Sequence, residues 1–288
     1  MGLDIKYMQI EGTKKYWSVS EGAYCCLIDK KRTNFFKKSI FNTVKKNDIV
    51  VDVGTGTGIL ALFAAEAGAK KVYVVEIDRR CAATLKENFA KNGFGDVIDV
   101  IYGNALNVKL PERVDVIICE MISTGLIEEL QIPVMNNILK FGKKNVKVFL
   151  NQYDSYVDLV SQNTKFYGHK LDIFRFDYPG IPETKSTSFA KKIKYLSVNF
   201  NKKNAKEKIS KIIRLKINKN GIINGVRISG QTVFFDKSVF GCSSAYSFPL
   251  ILPIQDVKVR KGDEFDVYLS YTLCGVQGDI EYSISKIK

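Results

Sequence analysis

The stretch IVVDVGTGTGILALFAAEAGAKKVYVVEID, residues 49–78, decides the fold. IVVDV (49–53) is a short β-branched run with little polar alternation, the pattern of a strand covered on both faces. Glycines at 54, 56 and 58 follow it. ILALFAAEAGA (59–69) has helical length and good helix formers, with Gly68 near its end. VYVVEID (72–78) is a second buried strand. Strand, glycine turn, helix and strand make one βαβ unit, in which the two strands pair in parallel. Asp52 stands before the glycines, and Glu76 ends the second strand.

The same rhythm continues downstream. A helix is predicted over about 79–92, strands at VIDVIY (97–102), VDVIICE (114–120) and VKVFL (146–150), and a helix over LIEELQIPVMNNILKF (126–141) with a kink or break near Pro133. This predicts an α/β fold with a doubly wound, Rossmann-like domain over 47–150. Residues 1–46 read as an N-terminal helical extension, with a helix at about 28–44. After 150 the pattern becomes short strands between turn residues: YDSYVDLV, SVNF, IRLKIN, INGVRIS, TVFF, DVYLSYTL and EYSISKI. Residues 151–288 are therefore expected to form an antiparallel β-barrel-like domain.

Composition narrows the function. With 288 residues, 45% hydrophobic and 11% aromatic, the chain can bury substantial cores. No apolar run reaches the roughly 18 residues of a membrane span, and the N-terminal residues lack the apolar core of a signal peptide. Six cysteines without a CxxC motif suit reduced thiols in the cytoplasm. A single histidine, His169, makes a histidine-based metal site or a Ser-His-Asp relay a poor expectation, and no metal is expected. The net charge of +14 is uneven: residues 1–143 hold 20 Lys and Arg against 17 Asp and Glu, and residues 144–288 hold 24 against 13. A basic second half with the lysine-rich stretch 202–219 can attract RNA, or be a solvated face.

The glycine loop reads GxGxG, not the GxGxxG of a dinucleotide fold, and lacks the GK[ST] of a P-loop. Its glycines, Gly54 and Gly56 above all, let a ligand approach the backbone closely. Glu76 can accept both hydroxyls of a ribose. This constellation resembles the class I S-adenosylmethionine-dependent methyltransferases. Asp52 suits a ligand with sulfonium and ammonium cations, and the resemblance implies S-adenosyl-L-methionine as cofactor and S-adenosyl-L-homocysteine as product.

CEMISTGLIEE (119–129) places Glu120 at the end of a buried strand and Glu129 nine residues on. On one helix nine residues rotate about 180°, so the two carboxylates share a pocket only if the chain turns between them. Ser123-Thr124-Gly125 supplies a turn, and Glu129 is then expected in the first turns of the next helix. Glu128 reads as an acid exposed near that helix start.

This layout resembles the double-glutamate loop of protein arginine methyltransferases, in which two glutamates clamp a guanidinium beside the methyl donor. LIDKKRT (27–33) is similar to the family's L-x-D-x-x-R-T segment and gives Arg32 the cofactor carboxylate. YW (16–17) resembles the Tyr-Phe opening the cofactor-covering helix and adds Tyr16. In YGNALNVKLP (102–111), Ala105 matches the backbone position that meets adenine, with Asn104 in place to replace an adenine-reading glutamate that is Leu106 here. The family also follows its methyltransferase domain with an antiparallel barrel. The chain departs from the pattern at Met121-Ile122 after the first glutamate, at Ser20 in the covering helix, and at SFP (247–249), where the family has Thr-His-Trp.

The resemblance implies SN2 methyl transfer to a protein, arginine or a related cationic amine, with Glu120 and Glu129 as the catalytic pair, and it is compatible with a homodimer. The alternatives are an RNA methyltransferase using the basic second half and a non-catalytic cofactor-binding protein.

Overall fold

The computed structural model describes residues 6–8, 16–18 and 20–287. Short strands β1 (Lys6–Met8) and β2 (Tyr16–Ser18) pair antiparallel, with Tyr7 opposite Trp17. The segment expected to open a helix at Tyr16 is thus extended, and the Tyr16 side chain lies outside the described residues. The helix expected at about 28–44 is α2 (Lys30–Thr43), and a further helix, α1 (Ser20–Ile28), precedes it. They are broken at Asp29, whose carboxylate accepts the Arg32 N–H at 3.0 Å as an N-cap.

β3 (Ile49–Val53), α3 (Ile59–Glu66), β4 (Lys71–Glu76), α4 (Arg79–Lys91), β5 (Ile98–Tyr102), β6 (Val114–Cys119), α5 (Gln131–Ile138) and β7 (Gly142–Val148) form the first core. The five strands pair in parallel in the order β5-β4-β3-β6-β7. β3 lies at the centre with every residue buried, the reason its sequence has no polar alternation. The chain winds one way from β3 to β4 and β5 and the other way to β6 and β7. The switch point lies between β3 and β6, and the crevice beyond their carboxyl ends is where such sheets bind ligands.

The last helix differs from the reading. It starts at Gln131, and Pro133 falls in its first turn, where a missing N–H costs nothing and no break results. Leu139–Phe141 tightens into a 3-10 turn.

β8 (Leu150–Ser161) begins the antiparallel part after Phe149. It lies in a seven-stranded sheet beside the long strand Gly221–Phe234, which in turn pairs with Leu250–Val259. A three-stranded sheet of Lys208–Lys216, Glu264–Thr272 and Glu281–Lys286 completes the domain. INGVRIS and TVFF, read as two strands, are one. Gly230 between them is a packing device and not a turn: a Cβ there would lie 1.8 Å from the Tyr153 hydroxyl. Leu250–Val259 was not among the expected strands, because Pro253 and polar residues break its alternation.

Phe36 of α2 locks the parts together. Its ring meets Phe149 at 5.8 Å, Phe234 at 5.3 Å, Phe240 at 5.8 Å and Tyr246 at 5.5 Å. Each such pair contributes about 0.5–1.5 kcal/mol beyond its buried area.

Candidate active site

The glycine turn curls because Gly54, Gly56 and Gly58 all adopt positive φ, at 68°, 54° and 79°. A Cβ on Gly56 would stand 3.0 Å from Ala23, so α1 lies directly over the loop. Glu76 holds the loop from the next strand: Gly56 N–H donates to its Oε2 at 2.8 Å, and Ile77 and Asp78 N–H donate to its Oε1, each at 2.8 Å. Burial raises its pKa, and the three backbone donors oppose the rise. Asp52 accepts from Thr55 Oγ1 at 2.5 Å. Burial pushes its carboxyl up to about 7, against the Thr55 bond and with help from the Glu76 charge.

At the end of β5, Asn104 Oδ1 accepts the Leu106 N–H at 2.9 Å, closing the turn that presents Ala105. Ala105 is buried, and its carbonyl accepts from Asn137 of α5 at 3.0 Å. Asn104 thus spends its carbonyl on the local turn. Asp52, Gly54, Gly56, Glu76, Asn104 and Ala105 all line the carboxyl ends of β3, β4 and β5.

Arg32 reaches this crevice from α2. It is 4% exposed, its guanidinium lies 4.6 Å from the Phe36 ring, and it pairs with Glu120. Nη1 donates to the Cys26 carbonyl at 3.4 Å, while the buried Nε has no hydrogen-bond partner among the described residues. A buried cation with an unspent donor, beside a glycine cradle, a ribose-competent acid at Glu76 and a second acid at Asp52, fits a ligand carrying a carboxylate, a ribose and a cationic centre. S-adenosylmethionine has these three groups.

Glu120 follows the last residue of β6 and also accepts the Ile122 N–H at 3.2 Å. The chain then reverses through Thr124–Leu126, with Gly125 at φ 68° and Leu126 at φ 56°. Ser123 Oγ accepts the N–H groups of Glu128 and Glu129 at 2.9 and 3.2 Å. Glu129 therefore sits in the loop before α5, not in the helix as the spacing predicts. Its carboxyl is pushed up to about 8, first by burial and then by the charge of Glu120, with Arg32 opposing. Glu128 points outward and accepts from Gln277 at 2.6 Å.

Two groups at this site escaped the sequence reading. Gln131, fully buried, accepts the Met121 N–H at 2.9 Å and donates to the Cys119 carbonyl at 3.0 Å, stapling the end of β6 to the start of α5. The Cys26 thiol faces Glu120, Arg32 and Glu129, and burial with the glutamate charges pushes it up to about 12. Neither carries a motif: a glutamine and a cysteine acquire their meaning only from what they face. The SFP loop takes a structural place here, as Thr124 Oγ1 donates to the Phe248 carbonyl and Ser247 Oγ lies 2.7 Å from the Tyr153 hydroxyl.

The model of the ribosomal protein L11 methyltransferase family matches residues 32–147. An uncharacterized protein of Methanocaldococcus jannaschii, MJ1452, is 35% identical over 255 residues, covering 88% of this chain and 92% of its own. Protein arginine N-methyltransferase PRMT10 of Oryza sativa subsp. japonica is 40% identical over 105 residues, 36% of this chain and 27% of the rice protein. The chain belongs to one family with the archaeal protein, and the matches over its first half make it a protein arginine methyltransferase-like, S-adenosylmethionine-dependent methyltransferase. Probable protein arginine N-methyltransferase 6 of Arabidopsis thaliana matches at 33% over 153 residues, 35% of its length, so the methyltransferase spans only about a third or less of these plant relatives.

Two solved structures share the methyltransferase's two-part architecture. The Trypanosoma brucei PRMT1 enzyme-prozyme heterotetrameric complex with AdoHcy has a TM-score of 0.73 at 18% identity, covering 92% of this chain and 96% of that one. Arabidopsis thaliana protein arginine methyltransferase 10, in an open conformation, has a TM-score of 0.74 at 16% identity, covering 91% and 96%.

Proposed function

We propose that this methyltransferase acts on protein, with an arginine guanidinium or a related cationic amine as acceptor. The observation that carries the reading is that Glu120 and Glu129 face one partly buried pocket, where burial and then the Glu120 charge make Glu129 costly to ionise. A cation between them relieves that cost. S-adenosylmethionine, when bound, supplies a methyl group on a sulfonium, open to in-line displacement.

Each part of the chain then has its task. Arg32 holds the cofactor carboxylate, Glu76 the ribose hydroxyls, and the turn at Asn104 and Ala105 the adenine, while Asp52 faces the cationic centre. Residues 1–46 cover the cofactor, 47–150 bind it, and 151–288 back the acceptor. Glu120 and Glu129 orient the acceptor nitrogen, contributing about 1.5–3 kcal/mol for each charge-assisted bond. In an SN2 step the nitrogen lone pair forms the N–CH3 bond as the C–S bond breaks, and the nitrogen's surplus proton passes to a glutamate, for which Glu129 has the raised proton affinity.

An RNA acceptor is the second reading, favoured by the excess of 24 basic over 13 acidic residues after 143. Against it, four basic residues of the small sheet are paired with acids: Lys208 with Glu281, Arg214 with Asp266, Lys216 with Glu264 and Lys286 with Asp263. The test is label transfer from a tritiated methyl donor into lysate of cells lacking the gene, split between protease and RNase. Label lost only to protease, and recovered in methylarginine after hydrolysis, supports the reading. Label lost only to RNase overturns it.

A further inference from the structure

Building on the reading of Glu120 and Glu129 above, we propose that Tyr153 and Tyr271 are positioning residues that grip the backbone on both sides of Gly125 and so fix Glu129 relative to Glu120. The turn between the two glutamates holds two consecutive left-handed residues, Gly125 and Leu126. Leu126 carries a Cβ that disfavours this conformation, so the turn needs an outside hold.

That hold comes from the antiparallel domain. Tyr271 Oη, from the strand Glu264–Thr272, donates to the Gly125 carbonyl at 2.8 Å. Gly125 N–H donates to Tyr153 Oη, from β8, at 3.3 Å. The N–H and the carbonyl of one residue, Gly125, in the two successive peptide units that flank its Cα, are thus gripped by phenols from the two different sheets. Tyr271 has one proton and commits it to Gly125, so Tyr195, 2.8 Å away, donates to Tyr271. Tyr153, accepting from Gly125, lies 2.7 Å from Ser247 Oγ. Both gripping tyrosines are fully buried.

The surroundings are shaped around these hydroxyls. Only a glycine at 230 leaves room for Tyr153 to pass. A Cβ on Gly125 would stand 3.1 Å from Tyr271 Oη. The neighbouring residues of the turn are tied to the same domain: Thr124 to the Phe248 carbonyl, the Leu126 carbonyl to Cys274 N–H at 2.8 Å, and the Ile127 carbonyl to Gly275 N–H at 2.6 Å. Phenylalanine rings would fill the core as well. The phenol oxygens add bonds to this turn and to the polar groups beside it.

The test uses the full chain with Tyr153→Phe, Tyr271→Phe and Tyr195→Phe. Three quantities are read on each: amide hydrogen exchange over residues 124–129, affinity for S-adenosylhomocysteine, and kcat and KM for transfer to the acceptor class found by the label assay. Loss of a buried hydrogen bond predicts exchange faster by about tenfold or more and kcat lower by about 10- to 100-fold in Tyr153→Phe and Tyr271→Phe. Affinity for S-adenosylhomocysteine stays within about twofold, and Tyr195→Phe shows a smaller effect of the same kind.

Exchange or kcat within about twofold of wild type in both gripping variants overturns the proposal, as does an affinity for S-adenosylhomocysteine that falls as far as kcat. If one variant fails to fold, the other carries the test. An acceptor other than arginine would remove the guanidinium reading, while the exchange and the kcat against affinity comparison would still decide the role of the tyrosines.

Discussion

At the scale of the residue, Glu120 and Glu129 differ in what holds them. Glu120 is pinned by Arg32 and the Ile122 N–H, whereas the environment of Glu129 raises its carboxyl to about 8. Glu120→Gln is expected to lower kcat by about 100-fold or more while donor affinity changes little, the pattern of a group acting in the transition state. Equal losses, measured by titration calorimetry and initial rates, would make Glu120 an anchor of Arg32 instead. For Glu129 the direction with pH is fixed. Its folded value lies above the ordinary 4.5, so between the two the native state keeps a proton that the unfolded chain releases. Its contribution to stability therefore falls as pH rises from about 4.5 toward 8. Glu129→Gln should raise the melting temperature over wild type more at about pH 9 than at about pH 6, and the wild-type kcat/KM should climb through about 8. A melting difference independent of pH would show that Glu129 is already ionised in the free protein.

At the scale of the element, the join between β6 and α5 decides the site. The spacing of Glu120 and Glu129 calls for a turn, and Ser123-Thr124-Gly125 supplies the residues for one. Where the helix begins was not legible, because a proline can either break a helix or start one. Here Gln131 settles it by bonding both to the Met121 N–H and to the Cys119 carbonyl. Gln131→Leu keeps the volume but leaves both buried groups unpaired. It is expected to cost about 2–4 kcal/mol in chemical denaturation, at roughly 1–2 kcal/mol for each group. Its kcat should fall with the loosened loop. An unchanged denaturation midpoint would mean that water or a shifted backbone takes over both bonds.

At the scale of the whole molecule, the outer face of the large sheet is held by buried charge. Arg227 donates to Asp158 from Nε at 3.0 Å and from Nη2 at 2.6 Å, and Ser188 Oγ also donates to Asp158 at 2.7 Å. The Asp158 side chain is fully buried, so removing its cation strands a charge. Arg227→Met is expected to cost about 3–5 kcal/mol in a urea or thermal melt. Restoring stability with Asp158→Asn in the same chain would tie the cost to the unpaired carboxylate. The lysine-rich stretch tells the opposite story. Arg214 and Lys216 face Asp266 and Glu264 across adjacent strands, and Lys208 reaches over the middle strand to Glu281, an arrangement set by register that the bare charge count does not contain.

What the sequence determined by itself is what local rules encode. Period and composition define the parallel α/β core and the change to antiparallel strands. The ligand-cradling glycine turn is read from the GxGxG pattern, and the acids at strand ends from buried runs that close on Asp52, Glu76 and Glu120. These follow from neighbours in the chain, within one turn or one strand. The tertiary structure alone decided the rest. It added α1 before the expected helix and set the join at Asp29, whose second carboxylate oxygen accepts the Ala245 N–H at 2.9 Å. It joined INGVRIS to TVFF because Tyr153 must cross at Gly230. It set the turn between the glutamates through Tyr153, Tyr271 and Phe248. Each of these rests on a hydrogen bond or a packing contact between residues far apart in sequence, and local periodicity carries no record of such partners.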